Sequence, residues 1–308
     1  MLIRDAIEDF TLNQEILSRA ERYIGLCTYT LEEFETFLFK QYEIKTIEAI
    51  KSAHIKQLIR YWQQSGRLKN ITINGNISRV KSLYTFLVEE EYISRDDNPT
   101  RFIKNLKEEK TVIRTFNDRE VRAMLKDCEG RTYSNIRDML MLMLLFDCGL
   151  RVSELIGIKP GDINRNGLLV RGKGSKQRLM YISPRVKRQM NKYKFAKEKR
   201  FSNWDPEELE DYYFLTQSGK KVTRTRINQM LKEHGKNVGV RAGVRCCPHD
   251  CRHYFAQKQL RNGIDIYSLS RLLGHYDTSI TATYLKGLDD EIIVKHGVKT
   301  SPLQSLKQ

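Results

Sequence analysis

The stretch "NIRDMLMLMLLFDCGLRVSEL", Asn135 to Leu155, joins the most apolar segment of the chain to a lone arginine. Met139 to Phe146 is apolar nearly all round a helix, the pattern of a central buried helix. Its eight residues fall far short of the roughly 20 that span a bilayer. Arg151 follows directly. A guanidinium there must be paired, exposed at a cleft or bound to an anion, because burying it alone costs on the order of several kcal/mol. Glu154, three residues on, shares a helix face with Arg151 and is placed to orient it, so a plain structural ion pair is the alternative for this segment.

Around this helix the pattern predicts a mostly helical domain with a small sheet. Asn117 or Asp118 is a candidate cap for "NDREVRAML", and Ser183 with Pro184 starts another helix at cap and first-turn positions. Turns are expected at Pro160–Asp162 and at Asn166 and Gly167, after which "LLVRGKGSKQRLMYI" reads as two short strands joined by a glycine-flanked hairpin. A further short strand is expected at Tyr213–Thr216, and helices near residues 223–234, 249–262 and 265–273.

The first hundred residues read as helical throughout, with Tyr23, Leu26, Leu31, Phe34, Phe37 and Leu38 as apolar positions spaced by three to five. Asp96–Pro99 breaks the pattern. The expected organisation is a helical domain over 1–108, a linker over 109–115, a second domain over 116–287 and a tail over 288–308. A chain of 308 residues suits two domains. No repeat or low-complexity segment is present.

Charge is the strongest bulk signal, with 54 basic against 38 acidic residues and a net charge of +16. Residues 1–110 balance at 17 of each, so the whole surplus lies beyond them. Lys51 to Val88 carries seven basic residues and no acid, including Lys51, Lys56, Arg60, Arg79 and Lys81. A second acid-free run, Arg171 to Lys197, carries ten, among them Arg171, Lys176 and Arg178. Two single-sign surfaces on either side of a domain boundary suggest a grip on one polyanion, and those eight named cations are its expected contacts. Solvated, solubilising faces are the bland alternative. Nothing at the start of the chain resembles a signal peptide, so the expected location is cytoplasmic, and the six cysteines are expected to be reduced thiols.

Three further segments carry chemistry. In "RGKGSKQR", Gly172 and Gly174 let the backbone turn sharply around Lys173, which can act as donor or proton source; the GxxxxGK[ST] phosphate-loop spacing is absent. "CCPHDCRHYF" invites a metal reading, but neighbouring Cys246 and Cys247 do not readily share one tetrahedral zinc with His249 and His253, and "HDCRH" lacks the glutamate of a zinc-protease helix. His249 and Arg252, three apart on one helix face, make a more economical anion-binding pair, with His253 packed behind them. In "LLGHYDTSITATYLKG", Leu272 to Gly287, Gly274 ends one helix in the C-cap manner, His275 follows in the turn, and Asp277 or Thr278 caps a helix carrying Tyr284. A tyrosine hydroxyl has a pKa near 10, so as a nucleophile it needs positive charge and a proton acceptor beside it.

Together and in this order, Arg151 in "GLRVSEL", Lys173 in "GKGSKQR", His249 and Arg252 in "HDCRH", His275 in "LLGH" and Tyr284 nine residues later resemble the tyrosine recombinase family of phage integrases and Xer-like site-specific DNA recombinases. The similarity runs from about Arg114 to Gly287, and the N-terminal helices resemble the SAM-like core-binding domain of that family. The resemblance implies a mostly α fold with a small β-sheet, a helical core-binding domain followed by an α+β catalytic domain. It implies cleavage and rejoining of DNA through a 3′-phosphotyrosyl intermediate and a Holliday junction, with no ATP, metal or other cofactor.

Tyr284 then matches the nucleophile, Arg151 and Arg252 the clamp on the non-bridging oxygens, Lys173 the general acid, His249 a general base or phosphate donor, and His275 a further donor. Glu154 matches a supporting acid. The implied partner is double-stranded DNA with an inverted-repeat site, bound by a homotetramer on two synapsed duplexes that assembles from monomers, each tail passing to a neighbour; no membrane is involved. With no arm-binding segment ahead of Met1, a simple two-domain recombinase is expected rather than a lambda-like integrase. Alternatives are a type IB topoisomerase-like strand transferase, a non-catalytic helix-turn-helix DNA-binding protein in which Tyr284 only packs, and, most remotely, a zinc hydrolase. Tyr276 is the local rival nucleophile, and the acidic patch Asp205–Asp211 has no assigned role.

Overall fold

The computed structural model describes residues 1–108, 114–164, 167–172, 177–274 and 281. The chain divides into two compact units, Met1–Lys110 and Thr111–Gln308.

In the first unit, α1 (Ile3–Ile16), α2 (Glu21–Tyr42) and α3 (Ser52–Gln64) all pack on α4 (Asn70–Glu89). The helix α4 buries Ile73, Ile77, Val80, Tyr84 and Leu87, steps of three and four that form one apolar stripe, with Leu83 beside it. Its buried Asn74 fixes the chain beyond the helices, donating to the Leu106 carbonyl at 3.0 Å and to Glu108 at 2.8 Å while accepting from the Leu106 N–H at 2.8 Å. The buried line of α2 is Cys27, Leu31, Phe34 and Leu38. Tyr23 and Leu26, expected on that face, are 37% and 43% exposed. Leu26 lies one residue, about 100°, off the line, and Tyr23 sits one turn beyond its buried end.

The second unit is built on α6 (Tyr133–Asp147), whose Leu140 to Phe146 are all buried; α5 (Asp118–Asp127), α7 (Val152–Ile156), α8 (Pro184–Arg200) and α10 (Pro248–Arg261) pack round it. The unit also holds α9 (Arg224–Asn237) and α11 (Ile266–Leu273). Local signals set the helix starts. Asn117 accepts from the Glu120 N–H at 2.8 Å while Glu120 accepts from the Asn117 N–H at 2.8 Å. Ser183 caps α8 with Pro184 at its first position.

Three antiparallel strands, β1 (Ile163–Asn164), β2 (Gly167–Arg171) and β3 (Gln177–Met180), run in the order β1-β2-β3. Val170 pairs with Arg178 and Leu168 with Met180. The two strands of the hairpin match expectation, and β1 is an addition: Gly167, expected in a turn, opens β2 and pairs with Asn164.

The strand expected at Tyr213–Thr216 is reduced to one isolated bridge, Leu215 to Lys221. Beside a few backbone bonds, such as the Tyr213 N–H to the Ile158 carbonyl at 2.8 Å, side chains take several of the groups that a longer strand pairing would have used. Lys197 Nζ donates to the Tyr212 and Tyr213 carbonyls at 2.9 and 3.0 Å, Tyr133 and Arg137 donate to the Leu215 carbonyl at 2.9 and 3.1 Å, and the Leu215 N–H donates to the Tyr193 hydroxyl at 3.3 Å. Burial lowers the Lys197 pKa, so this last member of the second basic run serves the fold.

Candidate active site

The site begins where α6 ends. Gly149 has φ +58°, and a Cβ there would collide with the Phe255 ring of α10. Only glycine lets the chain turn in the left-handed region while α10 comes this close. The approach brings Arg252, on α10 and 3% exposed, onto the Gly149 carbonyl, to which its Nη1 donates at 2.8 Å. Its Nη2 donates to the Leu273 carbonyl at 2.6 Å, at the end of α11.

Two residues past Gly149, Arg151 caps the start of α7. Its N–H donates to Glu154 Oε2 at 2.8 Å and its Nη1 to Oε1 at 2.9 Å, so the expected pair forms. Its Nη2 reaches the Gly274 carbonyl at 3.4 Å, and its side chain stays 39% exposed. Arg178 of β3 completes the cluster by donating to both Glu154 oxygens at 2.9 Å. Burial pushes the Glu154 carboxyl up, but the bonds and charge of Arg178, followed by those of Arg151, outweigh it and hold Glu154 below its ordinary range.

Gly274 ends α11 in the left-handed region, φ +64° and ψ +42°. A Cβ at this position would stand 2.9 Å from Arg178 Nη1, so the turn and the close approach both call for glycine.

His249 lies in the first turn of α10, exposed, with its ring centroid 4.1 Å from that of His253. Shielding of part of the ring, then the positive Arg245 and Arg252, lower its pKa, with Asp250 acting in the opposite sense. Buried His253 is pushed further, to about 4, by burial first and then by His249. Fully buried Asp250 fixes the entry to α10 by accepting from the Arg245 N–H at 2.8 Å.

Arg151, Glu154 and Arg252 are thus gathered at one place, with His249 on the same helix as Arg252. Lys173, Lys176, His275, Tyr284 and the rival Tyr276 lie outside the described residues. Of the expected DNA contacts, Lys51, Lys56 and Arg60 are exposed on and beside α3, while Arg79 and Lys81 are half-buried on α4, Arg79 donating to Asn76 at 2.8 Å. Arg171 is exposed and pairs with Asp162 at 2.8 Å.

Arg178, also among the expected DNA contacts, has a side chain only 15% exposed that turns inward, because the buried Glu154 carboxylate needs a cationic partner. Neither this role nor that of Gly149 is among the expectations from sequence; a glycine directly after the apolar helix is the available signal for the second.

Cys246 and Cys251 are buried in the core, and among the described residues no group of three or more His, Cys, Asp or Glu stands where it could share a metal ion. No described helix is long and apolar enough to cross a membrane.

Residues 114–291 match the phage integrase family, and residues 28–91 match the phage integrase N-terminal SAM-like domain. The tyrosine recombinase XerD of Oceanobacillus iheyensis is 31% identical over 292 residues, covering 92% of this chain and 94% of the relative. XerD of Halalkalibacterium halodurans is 30% identical over 270 residues, covering 84% and 87%. Among solved structures, XerH recombinase bound to palindromic difH substrate in a post-cleavage complex superposes with a TM-score of 0.73 at 17% identity, covering 92% of this chain and 81% of that one. The Tn1549 transposon integrase in complex with transposon right end DNA gives 0.73 at 17% identity, covering 98% and 100%. The fold and these matches define a phage-integrase-type protein, and the chain belongs to that family. It is a tyrosine recombinase, an enzyme that breaks and rejoins DNA strands site-specifically.

Proposed function

We propose that Tyr284 attacks a DNA phosphodiester, forming a 3′-phosphotyrosyl link and releasing a 5′-hydroxyl, with Arg151 and Arg252 on the two non-bridging oxygens. The observation that carries this is the convergence of both guanidiniums on the end of α11, at the carbonyls of Gly274 and Leu273. His275 follows that end directly, and Tyr284 comes nine residues later. Two fixed cations suit a phosphorane whose charge grows on those oxygens, where one preorganised donor is worth about 3 to 4 kcal/mol.

Lys173 then protonates the leaving 5′-oxygen and His275 donates to the phosphate. His249, with its lowered pKa, is neutral near pH 7 and fitted to accept the phenolic proton. Because the covalent product is again a phosphodiester, rejoining needs neither ATP nor a metal. The assembly consistent with this chemistry is a homotetramer on two synapsed duplexes carrying inverted repeats. Met1–Lys110 acts in it as the core-binding unit, and residues 288–308 as the exchanged tail.

The test is a nicked duplex substrate that traps the covalent adduct after detergent. Wild-type protein and Tyr276→Phe should accumulate it, and Tyr284→Phe should not. An adduct formed by Tyr284→Phe would overturn the assignment.

A further inference from the structure

We infer that Arg178 is a positioning residue for Arg151: it grips the Glu154 carboxylate at two points, which fixes Arg151 and preserves its positive charge for a phosphate. This rests on the role of Arg151 proposed above.

Four donors fill the one carboxylate. Oε1 accepts from Arg178 Nη1 and Arg151 Nη1, each at 2.9 Å; Oε2 accepts from Arg178 Nη2 at 2.9 Å and from the Arg151 N–H at 2.8 Å. That uses the roughly four lone-pair sites a carboxylate offers, so it cannot swing to another partner without breaking bonds. Exposure is graded across the cluster: the Glu154 side chain is 3% exposed, Arg178 15% and Arg151 39%. Arg178 therefore faces the carboxylate and Arg151 faces out.

Charge gives the second half of the role. With Arg151 alone, Glu154 would neutralise it, and an incoming phosphate would have to compete with a buried carboxylate. Two guanidiniums on one carboxylate leave a net positive charge, and the two-point grip places most of the neutralisation on Arg178. Arg178 stands on β3, five residues after Lys173 in sequence, and packs against Gly274 at the end of α11. One side chain thus ties β3, α7 and α11 together.

The experiment measures single-turnover cleavage at saturating DNA, with DNA affinity measured separately. Arg178→Met should lower the cleavage rate about tenfold to a hundredfold, as misplacement of a reacting group does, and change DNA affinity less than about threefold. Arg178→Lys, which keeps the charge but not the two-point geometry, should fall between. In an Arg151→Ala background the same Arg178→Met change should cost less than about threefold, because its target is gone. Since Arg178→Met leaves a buried carboxylate short of a partner and endangers folding, Arg178→Met/Glu154→Gln is assayed beside it. That double variant should melt near the wild-type temperature yet cleave more slowly than wild type.

Wild-type cleavage by Arg178→Met or by the double variant overturns the inference. So does an equal loss with and without Arg151, or weaker DNA binding with an unchanged rate at saturation, which would mark Arg178 as a phosphate contact. If wild-type protein itself forms no Tyr284 adduct, the reading of the site fails first, and the inference with it.

Discussion

Arg151 and Arg252, 101 positions apart in sequence, donate to the carbonyls of consecutive residues: Arg151 Nη2 to Gly274 at 3.4 Å, and Arg252 Nη2 to Leu273 at 2.6 Å. The end of a helix carries partial negative charge on its unpaired carbonyls, so it attracts cations. Here that attraction gathers two arginines from separate helices at one point.

Arg252 should be the most costly single loss. Arg252→Ala removes the donor to the Gly149 and Leu273 carbonyls, and leaving buried acceptors unmet costs about 1 to 3 kcal/mol each. Chemical denaturation should show that loss, and cleavage should fall by about a hundredfold or more once folded fraction is corrected for. Arg252→Lys should recover stability better than rate, because a point charge cannot span both carbonyls.

Gly149→Ala tests the close approach of α10. The added methyl meets the Phe255 ring and takes on a left-handed φ of +58°, so thermal melting should report a loss of roughly 1 to 3 kcal/mol. Shortening the ring as well, with Phe255→Leu, should return part of it.

Cleavage should rise with pH through a limb below the ordinary imidazole pKa of about 6.5, since His249 is shifted downward and the base role proposed for it uses the neutral form. His249→Gln should slow the reaction and flatten that limb. An unchanged limb would assign it to another group.

Stability should show its own acid dependence through His253, whose folded pKa is lowered to about 4. The unfolded chain, with an ordinary value near 6.5, binds the proton first, so the contribution is complete above that value and is lost as pH falls toward 4, by about 2 kcal/mol at pH 5. Unfolding curves at pH 7 and pH 5 measure it, and His253→Phe should weaken the dependence.

DNA binding should weaken with salt. Changing Lys51, Lys56 and Arg60 together to Gln should reduce the slope of log K against log salt by about 0.9 for each phosphate no longer neutralised. Arg178→Lys should leave the slope alone, because that side chain is turned to Glu154.

Much of this is legible in the sequence because it is local. The capping box of Asn117 and Glu120, the Ser183–Pro184 start and the Gly274 stop each lie within about one turn of helix, and the apolar run of α6 is continuous in sequence, so spacing carries the information. The order of Arg151, His249 and Arg252 along the chain is legible as well. What escapes depends on partners distant in sequence. Arg178 looks like any surface cation until β3 is placed beside α7, and its bond partner lies 24 residues away. Tyr213–Thr216 has strand composition, but side chains of α6 and α8 take part of its backbone bonding, at the Leu215 and Tyr213 carbonyls. Tyr23 obeys the helical period yet is 37% exposed, one turn beyond the buried end of α2's apolar line.

The left-handed stop at Gly274 carries one more consequence. The two arginines rest on the polypeptide's own main-chain oxygens, so the cationic centre is held in shape by the backbone at the end of α11. A phosphate bound as proposed above would meet guanidiniums whose placement is already set, which would keep the reorganisation needed at the moment of strand scission small.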